Sequence, residues 1–139
     1  SLSAVTWCLH AATRGFDLAH HNVFFAGDYG REFSAIFERG DITDQPTVYV
    51  CAQDRADGAA APAGAERLLL LINAPANGDD ADWGAARVAV LHERTDAMLR
   101  GCGLEIDWQP DNNVATTPQG FARLFPGSGG ALYGRASDG

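Results

Sequence analysis

The most constraining feature of the sequence is an uninterrupted apolar run of five residues, 68–72, flanked by Arg67 and Asn73. A run of this length is too short to span a bilayer or to form the core of a signal peptide. Its residues do not alternate with polar ones, which is typical of a central strand covered on both faces. The chain is therefore expected to fold around a buried strand.

Four more segments have the period-two alternation, or the β-branched and aromatic content, of strands. They cover residues 5–9, 22–26, 47–52 and 104–108. Apolar residues at helical spacing predict helices over about 29–38, about 80–100 and from 118 onward. Because helices and strands do not alternate strictly, the sequence predicts an α+β fold. We expect a mixed, largely antiparallel sheet of about five strands, with helices mainly on one face.

Two of the predicted helices carry start or stop signals. Phe33, Ile36 and Phe37 follow one helical face, and Gly40 is the expected C-terminal stop of that helix. Thr117 is predicted to cap the third helix, with the proline that follows it in the first turn.

An acidic cluster, Asp79, Asp80 and Asp82, lies at the start of the second predicted helix. The spacing of these carboxylates does not match a calcium-binding loop. Negative charge is favourable at the N-terminus of a helix, where the macrodipole is positive. We interpret the cluster as helix capping.

Length, charge and cysteine content limit the classes of function. At 139 residues the chain is a single domain, long enough to bury a core without disulfides or metals. Its 18 acidic and 10 basic residues give a net charge of -8, which argues against nucleic acid as a partner. Cys8, Cys51 and Cys102 are too far apart in sequence for a structural zinc site. They are expected to be reduced, buried thiols of an intracellular protein.

Histidines offer two weak candidates for a metal site. His20 and His21 are neighbours in a segment expected to be extended, so their side chains should point to opposite faces. His92 and Asp96 share a helix face, but a third ligand is missing and a salt-bridged surface is the better interpretation. No metal ligand is predicted.

The glycine-rich segment 127–130 follows a predicted helix, whereas a dinucleotide site needs glycines between a strand and a helix. Ser128 has no strand-turn-helix elbow around it, so it has no case as a hydrolase nucleophile. The residues by themselves therefore predict no catalytic and no cofactor-binding residue.

Several ordered stretches nevertheless resemble a known family. Segments 1–7, 21–25, 46–55, 71–79 and 116–134 look like the substrate-domain half of bacterial FAD-dependent carotenoid desaturases. Within that phytoene-desaturase-like family they are most similar to hydroxyneurosporene and methoxyneurosporene desaturases. These enzymes act at C-3,4 of acyclic 1-hydroxy or 1-methoxy carotenoids.

The resemblance implies an oxidoreductase that removes two hydrogens from a carotenoid, one of them as hydride to FAD. The family's G-x-G-x-x-G fold and its C-terminal glycine-rich segment are absent from these 139 residues. The chain is therefore expected to be an internal, substrate-binding piece of a larger flavoenzyme, inactive alone and without FAD of its own. The parent is expected in the cytoplasm or peripherally on the inner membrane face. The alternative is a free-standing, noncatalytic α+β module that binds a small apolar ligand.

The alternation of the first strand predicts where substrate lies. Val5, Trp7 and Leu9 form a bulky face, expected to pack under helices led by Phe33 and Leu91. The opposite face must be covered by something else. In the resembling enzymes that cover is the substrate channel and the flavin domain.

Thr6, Cys8 and Tyr49 lie on that opposite face of the predicted strands and are the candidate substrate-channel residues. Separation from the parent enzyme would also uncover apolar surface, which favours association. We therefore expect the chain to self-associate, through a strand edge or through Trp7, Phe24 and Phe25.

Overall fold

The computed structural model of the protein describes residues 2–25, 27–56, 59–76 and 83–124, which form two antiparallel sheets and three α-helices. The strands of the main sheet are β1 (Leu2–Ala11), β3 (His21–Phe24), β4 (Val48–Ala52), β5 (Glu66–Pro75) and β7 (Asn113–Thr116). The second sheet pairs β2 (Thr13–Arg14) with β6 (Glu105–Ile106). The helices are α1 (Tyr29–Arg39), α2 (Ala85–Gly101) and α3 (Pro118–Leu124), with one 3₁₀ turn over Pro110–Asn112.

The main sheet has the strand order β3-β4-β5-β1-β7, and each neighbouring pair is antiparallel. The predicted α+β class and the five-stranded, largely antiparallel sheet are confirmed. β1 and β5 pair along ten residues each, from Leu2 opposite Pro75 to Ala11 opposite Glu66. This pair forms the centre of the sheet and determines which side chains share a face.

One face of the sheet, the core face, packs against α2. Val5, Trp7 and Leu9 of β1 lie in one buried cluster with Leu91 of α2, as predicted. The Trp7 ring meets His92 of α2 edge-on, with the ring centroids 6.4 Å apart. The same cluster includes Val48, Val50, Leu68, Leu70 and Ile72. Full burial of one such side chain contributes about 1.5–3 kcal/mol, so this layer is the main source of stability.

The boundaries of α1 agree with the prediction, but its packing does not. Asp28 caps the helix by accepting a hydrogen bond from the backbone N–H of Arg31 at 3.0 Å. Gly40 ends it in the left-handed conformation, with φ at 62°. The expectation that Phe33 packs over β1 is wrong, because Phe33 is 40% exposed and stacks on the exposed ring of Phe37.

The buried face of α1 contains Glu32, Ala35 and Ile36 instead. The Glu32 carboxylate accepts hydrogen bonds from the backbone N–H and the hydroxyl of Thr47, at 3.3 and 2.8 Å. A carboxylate is tolerated in the interior only with such partners. The pairing with Thr47 therefore orients α1, and Phe33 lies at the surface as a consequence.

α2 begins later than predicted, with Gly84, which has no side chain to offer as a cap, at its N-cap. The proposed capping residues Asp79, Asp80 and Asp82 lie outside the described residues, as does the glycine-rich segment 127–130. Of the helices in the described ranges, none combines the length and the apolar character needed to cross a bilayer.

Residues 104–108 do not form a fifth strand of the main sheet, so that prediction is wrong. Only Glu105–Ile106 is extended there, and it pairs with β2. The fifth strand is β7, which pairs with the outer edge of β1. The apolar Val114 of β7 is 67% exposed at that edge. The strand therefore has no buried apolar face, and its sequence lacks the alternation that identifies a half-buried strand.

β5 is central as predicted, but it is not covered on both faces. Leu68 and Leu70 are buried, whereas Leu69 between them is 38% exposed. The surface aromatics also differ from expectation, because Trp7 and Phe24 are buried and cannot mediate self-association. Phe25, with 56% of its surface exposed, is the member of that trio that lies at the surface.

A buried ion pair joins the start of β5 to the connection between β4 and β5, and further bonds link that connection to the loop before β3. The Glu66 side chain is 1% exposed, and Arg55 donates to its two carboxylate oxygens at 3.0 and 2.9 Å. Arg55 also donates to Asp17 at 3.2 Å and to the carbonyl of Leu18 at 3.4 Å. Hydrogen bonding to Glu66 raises the pKa of the Arg55 guanidinium. Such a two-pronged pair fixes both segments in one geometry.

Replacement of Arg55 by methionine should therefore be severely destabilising, because it leaves the Glu66 carboxylate buried without a partner. We expect Arg55→Met to lower the free energy of unfolding by about 3–5 kcal/mol, measured by urea denaturation. The matched control is Arg67→Met, which removes an exposed pair with Asp54 and should lower the free energy of unfolding far less than Arg55→Met does. Equal losses in the two variants would contradict the assignment.

Acidification should affect the exposed control pair. Hydrogen bonds from Arg67 lower the pKa of the Asp54 carboxyl in the folded chain. Its contribution is therefore present above the ordinary pKa of aspartate and is lost as the pH falls through the lowered value.

The cap of α3 is confirmed, since Thr117 Oγ1 accepts a hydrogen bond from the backbone N–H of Gly120 at 3.2 Å. Thr117→Ala should lower the free energy of unfolding by about 1 kcal/mol, measured by thermal unfolding. Thr117→Ser keeps the hydroxyl and should retain most of the stability. An alanine variant as stable as the serine variant would exclude the cap.

Candidate functional site

The face of the sheet opposite the core face, which we call the outer face, carries a row of side chains across all five strands. The strand register aligns these residues, one from each strand. They are His21, Cys51, Leu69, Cys8 and Val114. Cys8 and His21 are exposed, as are Leu69 and Val114, and Cys51 is half-buried. Because a free cysteine packs as a small apolar side chain, the row is apolar except at His21.

A second, more buried row of the outer face runs beside the first. It consists of Val23, Tyr49, Leu71, Thr6 and Thr116. Thr6 is only 9% exposed, and α3, which begins just after Thr116, contacts β1. A Cβ atom on Gly120 of α3 would lie 3.2 Å from the Thr116 methyl group, which shows how closely the helix approaches this row.

The three candidate channel residues thus share one face, in neighbouring rows. Cys8 is exposed, Tyr49 is half-buried, and Thr6 lies largely under α3. The expectation that Cys8 and Cys51 are buried is wrong for Cys8, because its strand turns this side chain away from the core. Both are free thiols, as is Cys102. The role of Thr6, Cys8 and Tyr49 in binding substrate stays a prediction.

A surface groove of about 470 Å³ lies at the Cys8 end of the outer face. Its apolar side chains include Cys8, Leu69 and Val114. Its polar side chains include His10, Gln53, Arg67, Asp111, Asn112 and Asn113. Apolar walls with a few polar groups at one place are typical of sites for an apolar molecule with a polar end.

Arg67 is held in this groove by hydrogen bonds to neighbouring side chains. Its guanidinium donates to Asp54 at 2.9 and 2.5 Å. With the Gln53 amide oriented to satisfy both groups, the Gln53 oxygen accepts from Arg67 at 3.1 Å. His10 lies opposite Arg67 in the β1–β5 register. These residues were not predicted as site residues, because their proximity depends on strand register, which no local pattern encodes.

The expectation that His20 and His21 point to opposite faces is also wrong. Their ring centroids are 4.5 Å apart, and His21 lies opposite Cys51 in the β3–β4 register. His20 precedes β3, in a turn closed by Asn22, whose side chain bonds both the N–H and the C=O of Ala19 at 2.8 and 2.7 Å. The alternation of strand side chains therefore does not apply at His20.

His92 and Asp96 have structural partners. The His92 ring lies edge-on against Trp108, with the centroids 4.1 Å apart. The Asp96 carboxylate accepts a hydrogen bond from the Trp108 indole at 2.9 Å and pairs with Arg100 at 3.2 Å. These contacts hold the segment after α2 against the helix.

Comparison with known proteins finds carotenoid desaturases that are similar to this chain. No family model matches the chain. The hydroxyneurosporene desaturase of Rubrivivax gelatinosus is 49% identical over 139 residues, covering 100% of this chain and 26% of that protein. The hydroxyneurosporene desaturase of Rhodobacter capsulatus is 41% identical over 139 residues, covering 100% and 27%. The phytoene desaturase of Neurospora crassa is 29% identical over 146 aligned residues, covering 99% and 24%.

The chain is homologous to carotenoid desaturases over its whole length. The resemblance noted in the sequence is thereby confirmed. The chain spans about a quarter of the length of these relatives, 26% and 27% for the two bacterial proteins above. The groove and both rows of the outer face lie entirely within the part that matches carotenoid desaturases.

Proposed function

We propose that the chain is part of the substrate-binding region of a carotenoid desaturase, and that its outer face contributes to the channel that holds the polyene. The full-length protein is an FAD-dependent oxidoreductase that introduces a C=C bond at C-3,4 of an acyclic hydroxy- or methoxy-carotenoid, such as methoxyneurosporene. The similarity to hydroxyneurosporene desaturases supports this choice of substrate.

The exposed, mostly apolar row of the outer face is the observation that carries the proposal. Cys8, Leu69 and Val114 are exposed directly behind a tightly packed core face. Contiguous apolar surface of this kind marks a contact with a partner or an apolar ligand. In a homologue of carotenoid desaturases, a polyene and the rest of the enzyme are the surfaces that fit this chemistry.

The groove suits both the apolar polyene and the polar terminus of such a substrate. Burial of polyene carbons against Leu69 and Val114 stabilises the complex by about 25 cal/mol per Å², without fixing the position of the chain along the channel. A terminal hydroxyl or methoxy oxygen accepts hydrogen bonds, and Arg67 and His10 supply N–H donors. We propose that these donors bind the oxygen and so position the polyene lengthwise.

The proposal assigns the pyrophosphate of FAD to other segments of the full-length protein. A pyrophosphate is favourably bound by free backbone N–H groups at a helix N-terminus. At α1 the Asp28 carboxylate already caps the N-terminus, and at α3 the Thr117 hydroxyl does so. The segment before α2 contains Asp79, Asp80 and Asp82, whose charge would repel phosphate. In the proposal, the flavin is therefore held by other segments of the full-length protein.

It follows that the 139-residue chain should bind no FAD. After incubation with excess FAD and gel filtration, we expect it to be colourless, as judged by visible absorbance. Stoichiometric flavin in the purified chain would contradict this assignment. The chain by itself is also expected to self-associate through the exposed apolar surface.

The channel assignment is tested in the full-length protein by Cys8→Trp. We expect a large loss of carotenoid desaturation, or a changed preference for substrate length, with little change in thermal stability, because Cys8 is exposed in the groove. Turnover is followed by the red shift in absorbance that accompanies each new conjugated double bond.

Two variants control for this result. Thr6→Trp places the same side chain under α3, so it should destabilise the protein by roughly 1–3 kcal/mol through overpacking. Val90→Trp changes an exposed position on α2 and should alter neither turnover nor stability. If Cys8→Trp retains full turnover with an unchanged substrate preference, Cys8 does not line the channel.

A further inference from the structure

The edge of the sheet holds a cluster of metal-ligating side chains at the end of the outer face that lies away from the groove. One nitrogen of His20, one nitrogen of His21 and Sγ of Cys51 all lie within 4.8 Å of one another. His20 and Cys51 are half-buried, and His21 is exposed. A search of the described residues for three or more His, Cys, Asp or Glu side chains close enough to share a metal ion finds this group.

The backbone fixes all three residues. His21 and Cys51 are directly paired between β3 and β4. The carbonyl of His20 accepts a hydrogen bond from the backbone N–H of Ala52 at 2.8 Å, so His20 is attached to β4 as well. Asn22 adds a bond from its side-chain amide to the carbonyl of Val50 at 3.1 Å. The cluster is thus a property of the fold and not of free side chains that meet by chance.

The hydrogen bond of the His20 ring provides a second, independent observation. His20 Nδ1 lies 2.9 Å from the backbone carbonyl oxygen of Arg55. A carbonyl can only accept, so in the neutral imidazole this hydrogen bond selects the tautomer with the proton on Nδ1 and a lone pair on Nε2. Histidines that bind metals characteristically donate their other N–H to a carbonyl or a carboxylate in this way.

The nearby charges are compatible with a cation. The guanidinium of Arg55 is engaged by two carboxylates, those of Glu66 and Asp17, so its charge is neutralised locally. Two imidazoles and one thiolate are ligands for borderline-soft metals, and Zn²⁺ binds such sets in tetrahedral geometry.

We propose that His20, His21 and Cys51 form a Zn²⁺ site whose fourth position is open to water. Bond lengths of about 2.0–2.3 Å to tetrahedral Zn²⁺ place the ligand atoms roughly 3.3–3.8 Å apart. From separations of at most 4.8 Å, the side chains therefore have to converge by no more than about 1.5 Å, which the exposed ring of His21 permits. Binding releases one proton, from Sγ of Cys51 to solvent, and involves no redox step.

The site joins the edge strand β3 and the turn before it to β4. A metal bound only by the folded chain stabilises it by mass action. Zn²⁺ should therefore raise the unfolding temperature of the chain, in addition to binding it. The inference does not depend on the carotenoid substrate, and its test needs neither flavin nor turnover.

The experiment is a titration of the reduced 139-residue chain with Co²⁺ as a spectroscopic substitute for Zn²⁺. We expect a thiolate-to-cobalt charge-transfer band in the near ultraviolet that saturates at one equivalent and is displaced by Zn²⁺. Cys51→Ser should abolish the band. His20→Asn and His21→Asn should each weaken Zn²⁺ binding by at least about 100-fold. Loss of a residue that only supports a ligand typically costs about 10–100-fold, and loss of a ligand itself should cost at least as much.

Matched controls are available in the same sheet and among the other thiols. Cys8→Ser changes the exposed cysteine on the other side of Leu69, and Cys102→Ser changes the remaining one. Both variants should keep the band and the Zn²⁺-dependent rise in unfolding temperature. Far-ultraviolet circular dichroism of each variant verifies its fold before titration.

The proposal is overturned if the folded wild-type chain gives no charge-transfer band. It is equally overturned if Cys51→Ser keeps the band or if Cys8→Ser removes it. Should Cys51→Ser fail to fold, the two histidine variants decide the matter, because unchanged Zn²⁺ affinity in both excludes the site.

Discussion

The pairing of β1 with β5 is the interaction on which the other features depend. Its ten-residue register places Trp7 opposite Leu70 and Cys8 opposite Leu69. A slip of one residue would exchange the faces, burying Cys8 and exposing Trp7. The large difference in apolar burial between the two faces excludes that slip. The same register that builds the core therefore also exposes the outer face.

Much of this arrangement was predictable from the sequence, because each strand and helix leaves a local pattern. The alternation around Trp7 identified β1 and assigned Thr6 and Cys8 to the face away from the core. Gly40 and Thr117 marked helix ends, because left-handed backbone and capping hydroxyls are local requirements. Patterns of this kind also carried the similarity to carotenoid desaturases, which covers the whole chain.

The errors arose where a contact between distant segments decided the structure. Phe33 was expected in the core, but the bonds from Thr47 to Glu32 orient α1 differently. β7 was not predicted because it is an edge strand that pairs only with β1, and its side chains lack the alternation of a half-buried strand. Neither contact has a signature in the sequence near the residues it affects.

His20 and His21 show the same limit within a candidate site. As strand neighbours they would diverge, but Asn22 closes a turn that takes His20 out of the strand and turns its ring toward His21. The backbone carbonyl of Arg55 is hydrogen-bonded to the His20 ring, and the guanidinium of Arg55 donates to the buried Glu66 carboxylate. The residue that anchors the end of β5 therefore also orients the proposed metal ligand. Disruption of this ion pair should consequently disturb the cluster at the sheet edge, whereas the exposed groove near Arg67 belongs to a separate set of bonds.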